Sequence, residues 1–124
     1  MDTPTDRKYT ETHEWIRVDN DVITIGLTEH AVDQLTDVTF VEMKPTGTSV
    51  DAGDSVGEVE SVKTTSDVYS PAGGEIIEVN ENLGDAPETL NTEPYTDGWL
   101  VKVRITDASG LDALMDAAAY EASL

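Results

Sequence analysis

GEVESVKTTSDVYSPAGGEIIEVN, from Gly57 to Asn80, reads as β-structure interrupted twice. Two β-favouring runs, Glu58 to Val62 and Thr64 to Tyr69, flank Lys63, and runs of this kind either side of a short break predict a hairpin with the lysine at its tip. Ser70 to Gly74 supplies a turn and Gly74 to Val79 a further strand. A lysine so placed carries its flexible four-carbon stem away from the body, and its ε-amine can be reached from most directions.

Outward from this hairpin the pattern continues. Val38 to Met43 and Ser55 to Val62 read as short strands. Trp99 to Ile105 alternates with period two, setting Trp99, Val101, Val103 and Ile105 on one face against Leu100, Lys102 and Arg104 on the other. Trp15 to Val18 and Val22 to Leu27 flank Asp19, Asn20 and Asp21, residue types that favour a tight turn and hence a first hairpin. Thr28 can cap a short helix running to about Leu35, and Ser109 with Asp112 stands at capping-box spacing before an alanine-rich tail. Turn signals recur at Pro45 to Gly47, Leu83 to Pro87 and Tyr95 to Gly98. Many short strands broken this often predict a sandwich or barrel rather than alternating parallel units, and 124 residues suit one domain over 1–124.

Charge narrows the choice of partners. The chain has 26 acidic and 7 basic residues, a formal net charge of -19. Such a field repels nucleic acid and anionic membranes. It suits a salt-loving prokaryotic source, because the Debye length falls to about 3 Å at 1 M salt and self-repulsion falls with it. The N-terminal MDTPTDRKYT lacks the apolar run of a signal peptide, and no stretch approaches membrane-spanning length, which predicts a soluble, cytoplasmic protein.

The residues also limit the chemistry. With no cysteine there is no disulfide, thiolate metal site or thiol nucleophile, so a redox role would need an added group. His13 and His30 are the only histidines, do not stand at a metal-ligand spacing, and read as structural or surface residues. The sequence has no Walker motif, dinucleotide fingerprint or nucleophile-elbow serine. Between Pro45 and Val101 it carries 12 acidic residues and a single basic side chain, that of Lys63.

The segment from Gly57 to Asn80 closely resembles the lipoyl-attachment hairpin of glycine cleavage H-proteins, with Lys63 at the modified position. The resemblance continues through YTETHEWIRV (Tyr9 to Val18), TIGLTEHAVDQLTDVTFVEM (Thr24 to Met43), PYTDGWLVKV (Pro94 to Val103) and LMDAAAYEASL at the C-terminus, in the order the family has them. Biotin-carrier domains, by contrast, set their lysine between methionines, and Lys63 has Val62 and Thr64 beside it. Where some members carry a histidine, this chain has Gln34.

The resemblance implies a mainly β fold, a flattened barrel-sandwich hybrid of lipoyl-domain type, with short helices after the first hairpin and at the C-terminus. It implies a non-catalytic carrier with lipoate joined as an amide to Lys63; on the order of 10 bonds of about 1.5 Å would let the dithiolane swing more than about 10 Å. The implied partners are a pyridoxal-phosphate glycine decarboxylase, a tetrahydrofolate-dependent aminomethyltransferase, a flavin-dependent dihydrolipoamide dehydrogenase and a lipoate-attaching enzyme. Two other readings are open on the same residues, a lipoyl reservoir or relay for other lipoylated proteins, and an interaction module with an unmodified lysine. By match to the family's arm-docking region, Thr12, Glu14 and Asp67 are expected to line a sheltering cleft, where carboxylates can hold an amine by charge-assisted hydrogen bonds.

Overall fold

The computed structural model describes residues 3–124. In chain order these form β1 (Lys8–Tyr9), β2 (Glu14–Asp19), β3 (Val22–Leu27), α1 (Glu29–Leu35), β4 (Val38–Met43), β5 (Ser49–Val50), β6 (Ser55–Ser61), β7 (Thr65–Tyr69) and β8 (Gly73–Val79). Then follow α2 (Asn82–Asp85), α3 (Thr89–Thr92), β9 (Val101–Asp107), a 3-10 turn (Ser109–Ala113) and α4 (Ala117–Ser123). One sheet has the order β1-β2-β3-β9-β8-β5 and the other β4-β6-β7, with antiparallel neighbours throughout. The fold is therefore mainly β, two sheets with short helices, sandwich-like rather than closed into one barrel.

Alternation builds the core. Ile23 and Ile25 of β3, Val101 and Val103 of β9 and Ile76 of β8 meet Val56 and Val59 of β6 and Val68 of β7 in one buried cluster. The first hairpin forms as expected, turning at Asn20, whose φ of 57° is one that asparagine tolerates. Thr28 caps α1, its hydroxyl accepting from the Ala31 amide at 3.2 Å.

Three expectations need correction. The C-terminal helix starts at Ala117, capped by Asp116, and Ser109 opens only the 3-10 turn. The reason is a two-way backbone bridge between Met115 and Tyr9, both bonds 2.8 Å, which holds the chain extended just where a helix from Ser109 would have to pass. Leu100 is fully buried instead of sharing a solvent face with Lys102 and Arg104, because the segment between β8 and β9 covers it with apolar side chains of its own. The segment from Leu83 to Pro87 is not a plain turn. Short helices α2 and α3 bring Leu83 and Leu90 into the same core as Leu100.

A second cluster consists of Tyr9, Trp15, Ala117 and Tyr120. Trp15 stands directly opposite Gly26 across β2 and β3, and a Cβ at Gly26 would overlap its indole. The ring is also fixed from outside, with its Nε1 donating to the Pro94 carbonyl at 2.8 Å and the Arg7 guanidinium 4.6 Å from its centroid. Gly26→Ala should therefore cost about 2 kcal/mol through overpacking, read as a lowered midpoint in urea at unchanged slope. An unchanged midpoint would show that the indole can move aside.

Candidate functional site

Lys63 lies between the two paired strands of the β6–β7 hairpin, in a tip held by one side chain. The buried Ser61 hydroxyl donates to the Thr64 carbonyl at 3.1 Å and accepts from the amides of Lys63 at 3.2 Å and Thr64 at 3.1 Å. The amide before Lys63, that of Val62, donates to the Asp37 carbonyl at 3.1 Å, which ties the tip to the start of β4. A bend with its backbone groups satisfied in this way stays ordered while its side chains stand in solvent. Val62 is 69% exposed, Lys63 is exposed beside it, and no ion pair engages Lys63 among the described residues.

At the other end of β7 an open cleft of about 1030 Å³ is lined by residues 10–14, by Tyr69 to Pro71, and by Gly110 and Ala113 to Met115. The tip and the cleft thus sit at the two ends of one strand, roughly 20 Å apart at strand rise. Gly110 is required in that wall, because a Cβ there would collide with the Pro71 carbonyl.

Glu14 is the buried charge of the cleft, with only 1% of its surface exposed. The hydroxyls of Thr10 and Thr12 both donate to Oε1, the latter at 2.5 Å, and the Tyr69 amide donates to Oε2 at 3.3 Å. Buried carboxylates need such partners, and this set leaves Oε2 with room for a further donor. The structure thus joins Thr12 and Glu14, and it adds Thr10 and Tyr69, which sequence reasoning missed. For Thr10 a signal was present, since Thr10, Thr12 and Glu14 follow one another at spacing two.

Asp67 is placed differently. It is exposed on β7 opposite Glu58, reaches the Tyr69 hydroxyl at 3.5 Å, and lines a separate groove with Glu42 and Glu58. Gln34 is exposed on α1.

His13 lines the cleft beside Glu14 with a left-handed φ of 71°. Its Nδ1 lies 2.8 Å from the Tyr120 hydroxyl, and its ring centroid lies 4.6 Å from that of His30. Burial holds its pKa below the ordinary histidine value, and the neighbouring His30 charge lowers it further. No group of side chains suited to a metal ion occurs among the described residues.

A two-sheet β fold that holds out an exposed lysine on a stitched hairpin tip defines a protein of the lipoyl-domain class. The chain belongs to the glycine cleavage H-protein family, whose model matches residues 7–124. It is 55% identical to the glycine cleavage system H protein of Phenylobacterium zucineum over 93% of this chain and 95% of that one. To the H protein of Chromohalobacter salexigens it is 50% identical over 96% and 92%. A crystal structure of a glycine cleavage system H protein from Mycobacterium marinum superposes with a TM-score of 0.89 at 42% identity, covering 96% of each chain.

Proposed function

We propose that this protein is the non-catalytic lipoyl carrier of a glycine cleavage system, with lipoate attached as an amide at Lys63. The observation that carries the reading is Lys63 itself, the exposed amine of an ordered tip, at the family's modified position. Bound there, the group would supply a dithiolane that takes up the aminomethyl group of glycine and cycles by thiol-disulfide exchange. The residues present fit it: a flexible aliphatic stem at Lys63, a cleft along the same strand, and a buried carboxylate in that cleft able to accept from an amine.

Within this reading each residue has a task. Ser61 keeps the tip in one shape so that an attaching enzyme meets a fixed backbone. Glu14 accepts a hydrogen bond from the cargo's amine, Thr10 and Thr12 hold the carboxylate in place, and the cleft walls shelter the loaded arm on the side they cover. Asp67, whose carboxylate meets the Tyr69 hydroxyl on the outer face, is proposed as a contact for the arm outside the cleft. Catalysis belongs to the decarboxylase, the aminomethyltransferase and the dihydrolipoamide dehydrogenase.

Lipoylated protein mixed with purified glycine decarboxylase should support exchange of the carboxyl carbon of glycine with bicarbonate. A lipoyl relay for other complexes need not do so, and absence of exchange with a fully lipoylated sample would reject the glycine role. Glu14→Gln should shorten the lifetime of the aminomethyl-loaded form by roughly tenfold to a hundredfold, the value of one hydrogen bond to a charged group. Intact mass followed over time reads that lifetime.

A further inference from the structure

The hydroxyl of Tyr120 joins three elements. It lies 2.8 Å from Thr28 Oγ1 and 2.8 Å from His13 Nδ1, deep in the molecule, with the Tyr120 ring stacked on Tyr9 at 4.8 Å. The direction of these bonds follows from counting protons. Thr28 Oγ1 already accepts from the Ala31 amide, and its one proton has no acceptor but Tyr120 Oη among the described residues, in a side chain with no exposed surface. If Thr28 donates to Tyr120, then Tyr120 must donate to His13, or its own proton is buried unpaired. His13 Nδ1 is then an acceptor and its proton sits on Nε2.

His13 also sets the path of the chain into Glu14. Its φ of 71° is unusual for a residue with a Cβ, and costs about 1 kcal/mol or more unless surroundings impose it. The backbone around it is pinned, with His13 N donating to Thr10 O at 3.2 Å and His13 O accepting from Thr28 N at 3.1 Å, while Tyr120 holds the ring.

We infer that His13, held in its neutral Nε2-protonated form by Tyr120 of the C-terminal helix, is a positioning residue that keeps the turn 10–14 shaped so that the Glu14 carboxylate faces the cleft. This rests on the reading of Glu14 as the acceptor of the cargo's amine. A proton on Nδ1 would reverse the last bond and leave the Tyr120 proton without an acceptor. Among the described residues the titratable groups that face His13 are His30 from α1 and Tyr120 from α4, with Tyr9 stacked behind Tyr120 and the charge of Glu14 of β2 acting on Tyr120. The folded state prefers neutral His13, so the arrangement holds above the ordinary value of 6.5 and is lost as pH falls through the lower folded value.

Nitrogen-15 NMR of the full chain should show the Nε2-protonated tautomer at neutral pH, with Nδ1 shifted as an acceptor. A proton on Nδ1 under those conditions would overturn the inference, whatever any variant does. In the lipoylated, aminomethyl-loaded protein the lifetime should drop roughly tenfold as pH falls, with a midpoint matching the His13 titration. Tyr120→Phe should move that midpoint upward. A midpoint that stays put, in a variant whose circular dichroism is native, also overturns it, and if the variant does not fold, disagreement between the wild-type lifetime and titration midpoints does so. Glu14→Gln separates the two layers: a normal lifetime there condemns the reading of Glu14, while the tautomer measurement still judges the bond from Tyr120.

Discussion

Lys63→Arg should emerge from its native host without a lipoyl increment, should leave glycine cleavage at background, and should melt like the parent. The guanidinium preserves charge and reach, but it stays protonated at any physiological pH and offers no nucleophilic nitrogen for amide formation. The tip does not depend on the side chain. Its bonds run between the Ser61 hydroxyl, the Lys63 and Thr64 amides and the Thr64 carbonyl, all present in the variant. Stability should thus change by no more than about 0.5 kcal/mol, as for other surface replacements. Peptide mass, glycine turnover in a strain lacking the wild-type gene, and thermal melting together check the result. Undiminished turnover would mean that the arm is carried elsewhere or not needed.

The hairpin was legible because most of what makes it is local. β-favouring runs on both sides of Lys63 pair with each other, and the tip is closed by Ser61, three residues from its partner Thr64. Val22–Leu27 and Val38–Met43 were legible for the same reason, each carrying its own alternation or apolar run to the ends that the structure gives it. What escaped depends on distant contacts. The late start of α4 follows from a bridge to Tyr9, and the burial of Leu100 from helices α2 and α3, neither of which any window around those residues contains.

The site divides along the same line. Thr12 and Glu14 are two residues apart and meet on one carboxylate oxygen, whereas Tyr69 reaches that carboxylate only because β7 ends beside β2. Tyr120 is more than a hundred residues from His13, and no spacing rule pairs them. Asp67 shows the opposite case. The alternation of β7 sets it with exposed Tyr69 on the outer face, and its register partner is another acid, Glu58.

That pairing leads to the second large effect. Across the outer face of the smaller sheet Glu42 stands opposite Glu58, and Glu58 opposite Asp67, a row of three carboxylates in register. Like charges directly opposite destabilise a sheet, and two unit charges about 5 Å apart in water repel by about 0.8 kcal/mol before screening. Over the described residues only two salt bridges offset this, Arg7 with Asp6 and Lys102 with Glu78, against a net charge of -19. Screening at about 2 M potassium chloride, with a Debye length near 2 to 3 Å, should remove most of the repulsion that survives at about 0.1 M. Summed over the surface this is worth on the order of 2 to 3 kcal/mol, or about 10 °C in Tm for a chain of this size. Glu58→Gln takes the middle charge from the row, so it should raise Tm at low salt by about 2 °C or more, and should lose that advantage at high salt. A Tm indifferent to potassium chloride, or a Glu58→Gln gain that persists unchanged at 2 M, would show that the acidic face is not held back by its own charge.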